Sequence, residues 1–195
     1  MEKTSVKRAK PSCLSYSVVM SALAKDPSPA RTKQAVDIFN HLIRLHYSEK
    51  SKVKADQYAF SAILTCLANT SERWAADLAC SLMEKMSSMY SESGSEDLRP
   101  NDICYDKCLQ AMARCGDLKS LRDAHELLKK FVTDFQDARS PNLPSEAGIN
   151  SLLKYCSLLD EDEAKTIQDN VMRIKEDLER RGHLIQHRKQ SIPGD

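Results

Sequence analysis

The side chains of this chain with the widest chemistry are its seven cysteines, Cys13, Cys66, Cys80, Cys104, Cys108, Cys115 and Cys156. Cys104 and Cys108 stand one helical turn apart and Cys115 two turns further on, so a helix would carry all three toward one side. A zinc site uses CxxC-like spacing with a second such pair, and no CxxC occurs here. Small core cysteines are the better reading. His183 and His187 have the i, i+4 spacing of helix-borne metal ligands, but no glutamate follows His183, so the metalloprotease pattern fails. A solvated helix end accounts for the pair. The sequence has no glycine-rich phosphate loop, no GxSxG turn and no set of carboxylates at metal-binding spacing. It therefore predicts a non-enzyme with no metal, no cofactor and no small-molecule substrate.

What remains is recognition, and recognition depends on the elements that present the side chains. Four segments align without gaps: "PSCLSYSVVMSALAK" from Pro11, "ADQYAFSAILTCLAN" from Ala55, "PNDICYDKCLQAMAR" from Pro100 and "PSEAGINSLLKYCSL" from Pro144. Their starts lie 44, 45 and 44 residues apart. One column reads Tyr16, Phe60, Tyr105, Ile149, followed four and seven residues on by Met20, Leu64, Leu109, Leu153 and by Leu23, Leu67, Met112, Cys156. Those offsets mark one face of a helix. A second block opens at Ala35, Ala79, Ala124 and Ala164, with apolar residues three and seven places later. A small alanine at a fixed place suits close helix approach. Each unit is then helix A, turn, helix B and a polar loop.

The A helices are expected over roughly 12–25, 57–69, 101–115 and 145–158, and the B helices over roughly 30–47, 71–91, 118–137 and 161–186. Prolines at 27, 29, 100, 141 and 144 fall between helices, as their missing N–H requires. The acidic run at 160–163 opens the last B helix, where negative charge suits the helix dipole. The expected fold class is all-α: an α-solenoid of about four helix-turn-helix repeats with a period of 44–45 residues. The domain reading is a basic tail over 1–10, repeats at about 11–54, 55–99, 100–143 and 144–188, and a tail over 189–195. The charged stretch that closes the last repeat would serve as a polar cap.

Composition bounds the partners. The 195 residues carry 29 basic and 28 acidic side chains, a net charge of only +1, which argues mildly against tight electrostatic nucleic-acid binding. No run approaches a membrane span, and "MEKTSVKRAK" has no apolar segment of the kind a secretory signal needs. The odd cysteine count suits a reducing compartment. A cytoplasmic or nuclear, non-secreted, non-membrane protein is expected from these features alone.

The copies resemble pentatricopeptide repeats. "RPNDICYDKCLQAMARCGDLKSLRDAHELLKKF" carries the resemblance best, with "SYSVVMSALAK", "AFSAILTCLAN" and "ACSLMEKM" beside it. It spans about residues 11 to 175 and is similar to the long-repeat subclass found in protein-only RNase P. The resemblance implies a right-handed superhelix that binds single-stranded RNA at about one base per repeat. It implies a role in RNA processing or metabolism, in a mitochondrion or plastid. The implied base-reading pairs are Ser17 with Asp56, Ser61 with Asn101 and Asp106 with Ser145, and Asn150 opens a fourth. Ser with Asp would favour guanine and Ser with Asn adenine. The implied base-sandwiching residues are Leu14, Tyr58, Ile103 and Ala147.

Two bland readings stand beside these. Asp56, Asn101 and Ser145 sit where N-caps belong. The alternative function is a helical-repeat scaffold that binds protein. The A-helix surface near Ser17, Ser61 and Asp106 discriminates: Lys and Arg there favour RNA, and an apolar or acidic surface favours protein.

Overall fold

The computed structural model describes residues 11–137, 143 and 145–183. Eight α-helices follow one another in it: α1 Cys13–Leu23, α2 Pro29–Tyr47, α3 Gln57–Ala68, α4 Arg73–Ser93, α5 Asp102–Arg114, α6 Leu118–Gln136, α7 Glu146–Cys156 and α8 Asp162–Arg180. A 3-10 turn at Glu96–Leu98 precedes α5. Among the described residues there is no strand. None of these helices is long and apolar enough to cross a membrane. The basic tail over 1–10, Pro141, Pro144, His187 and the tail over 189–195 lie outside the described residues.

The chain stops and starts its helices with short polar caps. Ser12, Ser28, Asp56, Asn101, Asp117 and Ser145 each accept a backbone N–H of the first turn that follows. Pro29 takes the first position of α2, where no N–H is needed. Helix α4 runs two residues past its expected end and stops at Gly94, whose φ of 63° suits glycine. Helix α8 ends at Arg180, short of the expected 186. Gly182 (φ 72°) takes the left-handed position there, with His183 N–H donating to the Leu178 carbonyl and Gly182 N–H to that of Glu179. That pair of bonds is a Schellman stop, and it overrides the charged sequence that would otherwise prolong the helix.

Packing follows the repeat. The A helices lie side by side in chain order, α1 on α3, α3 on α5 and α5 on α7. Helices α2, α4 and α6 each pack on their own A helix and on the A helix after it, and α8 packs on α7 and α6. The alanine column Ala35, Ala79, Ala124 and Ala164 is fully buried, so the small side chain sits where helices come closest. The aromatic column holds the core as well: the Phe60 ring meets Phe39 edge-on at 5.0 Å and Tyr105 meets Phe131 at 4.3 Å. The B stripe differs from expectation in one respect. Ile38 and Leu127 are half-buried, whereas Phe39 and Leu128, one residue on, are buried. A B helix held between two A helices buries a wider arc than a single stripe describes.

Polar bonds tie successive A helices together. Asn69 Nδ2 donates to the Ala24 carbonyl at 2.7 Å, and Arg114 Nη1 donates to the Ala68 carbonyl at 3.4 Å, one repeat further on. These carbonyls end α1 and α3 and would otherwise lack a helical partner. In the fourth repeat the matching residue is the exposed Leu158, which has no such donor. The B helices are bridged near their starts. Arg73 reaches Asp123 (3.0 Å) and the Ser120 hydroxyl (2.7 Å), and Arg122 reaches Glu163 (2.6 Å).

Candidate nucleic-acid interface

Between α1 and α3 lies an open groove of about 500 Å³. Four of the expected site residues line it: Leu14, Ser17, Tyr58 and Ser61. Leu14 and Tyr58 stand out as large apolar side chains with 68% and 69% of their surface exposed, and Ile103 on α5 is exposed at the next interval. An unburied leucine, tyrosine and isoleucine at one repeated position are a surface kept apolar, since core packing does not account for them. Ala147 is exposed at the fourth.

The polar residues beneath them are placed by helix geometry. Ser17 is buried, its hydroxyl donating to the Cys13 carbonyl at 3.2 Å. Ser61 is half-buried and meets the Cys104 thiol at 3.3 Å. Asp56 caps α3 through the Ala59 N–H (2.9 Å), and Asn101 caps α5 through the Cys104 N–H (3.0 Å). The Asn101 amide also donates to Gln57 Oε1 at 3.4 Å. Neither cap residue lines the groove.

The third pair is joined directly. Ser145 gives its backbone N–H to Asp106 Oδ1 at 2.7 Å and its hydroxyl to Oδ2 at 2.5 Å. Burial raises the Asp106 carboxyl above the usual range, and the two Ser145 donors pull the other way. This pair holds α7 against α5. Asn150 accepts from Lys175 Nζ at 2.9 Å, and Lys175 also pairs with Glu146 at 2.9 Å. In this way α8 covers the outer side of α7 with a charged group.

The sequence reading missed the rest of the groove wall: Val18, Ser21, Ala22, Lys25, Ala62 and Thr65. The signal was available. Val18, Ser21 and Lys25 follow Leu14 by one, two and three turns, and Ala62 and Thr65 follow Tyr58 in the same way. Carried to the other repeats, that face adds Asn69, then Lys107, Gln110 and Arg114, then Ser151, Lys154 and Leu158. These positions hold Lys25, Lys107, Arg114 and Lys154, and the carboxylate of the neighbouring Ser17 and Ser61 column, Asp106, is bonded to Ser145. The groove itself is apolar and hydroxyl-lined, with Lys25 its single charged residue.

The cysteines behave as core. Cys66, Cys104, Cys108 and Cys156 are buried, and burial pushes the Cys66 and Cys156 thiols up to about 11. Cys80 lies 3.9 Å from Cys108 and 3.2 Å from the Met112 sulfur, a proximity between helices that spacing along the chain does not reveal. No group of His, Cys, Asp or Glu among the described residues is arranged to hold a metal ion. His183 lies edge-on to Phe135 at 5.0 Å.

No protein-family model matches the chain, and no curated protein is similar to it.

Proposed function

We propose that the chain is a single-stranded RNA-binding module built as a right-handed α-solenoid, reading bases along the exposed face of its A helices. The observation that carries this reading is that face itself. It opens the first three repeats with an exposed apolar residue, Leu14, Tyr58 and Ile103, and continues into Lys25, Lys107, Arg114 and Lys154, while the carboxylate beside it, Asp106, is taken up by Ser145. Stacking on apolar and aromatic side chains needs no charge, and the lysines and arginine beside it suit the phosphates between stacked bases. A base between Leu14 and Tyr58 would lie over Ser17 and Ser61. The pairwise stacking of A helices supports the solenoid, and the pentatricopeptide resemblance supports both parts. Base reading is assigned to Ser17 and Ser61, which line the groove, because Asp56 and Asn101 are taken up as helix caps and Asp106 and Ser145 engage each other. A place in organellar RNA metabolism follows from the same resemblance.

A second reading has its own observation. The groove between α1 and α3 carries one cation only, and Val18 and Val19 beside it are exposed. By the charge criterion that groove favours a protein partner, and a helical-repeat scaffold is the alternative. Fluorescence anisotropy with labelled homopolymers and a random single-stranded pool, over a salt series, separates the two. Saturable binding with a base preference that falls on Tyr58→Ala supports RNA. Absence of binding at low salt leaves the protein partner.

A further inference from the structure

A second, larger cleft of about 990 Å³ opens on the other side of the first turn of α1. Its floor and walls come from Tyr16, His41, Leu45 and Val53, and its rim from Lys50, Lys52 and Lys54 of the segment that joins α2 to α3. Every charged residue that lines it is a cation. The basic segment "SEKSKVK" at 48–54 has no part in the RNA-reading face, which leaves its clustering unexplained.

The cleft exists because the first repeat closes differently from the second. In the second, the segment before α5 presses Leu98 and Pro100 into the core, and the aromatic Phe60 is wholly covered. In the first, Val53 is only half-buried and the Tyr16 ring meets His41 at 5.8 Å, with both rings reaching the cleft. The segment is nonetheless anchored. Lys54 Nζ donates to the His46 carbonyl at 2.5 Å, the Ala55 N–H donates to His46 Nδ1 at 3.0 Å, and the Val53 N–H donates to Ser51 Oγ at 3.0 Å. Lys50 and Lys52 make no ion pair among the described residues, although Glu49 precedes Lys50 in the chain. Asp56 stands beside Cys13 at the edge of the cleft and is committed to capping α3.

We infer that this cleft binds a phosphorylated nucleoside, its phosphate on Lys50 and Lys52 and its ring against Tyr16 and His41. The volume suits a ligand of that size. A cluster of exposed ammonium groups without ion pairs favours an anion, and phosphate offers them several strong acceptors. The aromatic wall adds a planar ring to the ligand, through stacking that is tolerant of base identity. The inference stands independently of the RNA-reading groove, since Leu14 faces that groove and Cys13, its neighbour, faces this cleft. The phosphate can belong to a free mononucleotide or to the phosphorylated end of an RNA strand.

The test is calorimetric titration of the full chain with AMP, GMP, CMP and UMP, with the matching nucleosides and with inorganic phosphate, at low salt. The expected result is saturable binding of mononucleotides, at least about tenfold tighter than of nucleosides. Lys50→Ala with Lys52→Ala should weaken it by about tenfold or more, with an unchanged circular dichroism melt. Tyr16→Leu should weaken nucleotides and leave inorganic phosphate unaffected. Tyr58→Ala, in the other groove, should leave mononucleotide affinity as it is. A comparison of 5′-phosphate with 5′-hydroxyl oligonucleotides then assigns the source. A preference lost in the double lysine variant identifies the strand end, and equal binding identifies the free nucleotide. No saturable mononucleotide binding, nucleosides as tight as nucleotides, or an unaltered double lysine variant would each overturn the inference.

Discussion

Asp106 occupies the space into which a side chain at position 148 would grow. A Cβ built on Gly148 would lie 2.9 Å from the Asp106 Cγ and 3.0 Å from its Cα, so backbone as well as side chain stands in the way. The same contact recurs in smaller form one repeat earlier, where Ser61 meets Cys104. In both places the residue one turn into an A helix faces a small residue of the next A helix. Asp106 is larger than Ser61, and it faces a glycine where Ser61 faces a cysteine. Ser145 then holds the carboxylate from the side.

Gly148→Ala is therefore expected to destabilise the chain by about 1–3 kcal/mol, the usual cost of overpacking, despite the better helix propensity of alanine. Urea unfolding measures it. In Asp106→Ala the cost of Gly148→Ala should shrink, and a double-mutant cycle with no coupling would remove the steric account.

Much of this architecture was legible. The alanine and apolar columns repeat at a fixed interval, and burial of one helix face is a property each segment carries in its own sequence. The caps Asp56, Asn101 and Ser145 were legible for the same reason, since a cap acts within its own turn. The bonds between repeats were not. Asn69 to the Ala24 carbonyl, Cys80 to Cys108 and Ser145 to Asp106 depend on how helices from different units come to rest. No spacing within one helix encodes that. The larger cleft beside α1 was illegible because it arises from a failure of closure: Val53 does less in the first repeat than Leu98 does in the second.

Tyr58→Ala should reduce single-stranded RNA affinity by about tenfold, in line with the loss of one stacking contact. Its side chain is largely exposed, so the melting temperature should move little. Leu14→Ala and Ile103→Ala should follow with smaller losses. Anisotropy read beside a thermal melt checks both halves. An unchanged affinity in all three would leave the exposed column without a role in RNA binding.

Asn69→Ala should destabilise by about 1 kcal/mol, because the buried end of α1 loses a hydrogen-bond donor at the Ala24 carbonyl. Arg114→Ala should cost less, since its bond to the Ala68 carbonyl is longer, at 3.4 Å. Introducing a donor at Leu158 should add less, because the carbonyl it would face, that of Ala113 at the end of α5, already accepts the Gly116 N–H. Chemical denaturation of the three variants gives the ranking, and an Arg114 loss larger than that of Asn69 would contradict it.

His46 links the basic segment to pH. Its Nδ1 accepts the Ala55 N–H, which requires that nitrogen to be unprotonated. Burial first, then Lys54 and Lys85, lowers its pKa below the ordinary value of 6.5. The unfolded chain then binds the proton more readily than the folded one. The stability contributed by neutral His46 is complete above 6.5 and is lost as pH falls below it through the lowered value. Acidification should break the Ala55 bond, loosen the segment that carries Lys50 and Lys52, and speed hydrogen exchange at Ala55 after correction for intrinsic rates. His46→Asn, which cannot be protonated in this range, should exchange at a corrected rate independent of pH. A wild-type rate as flat as that of the variant would show that His46 does not hold the segment.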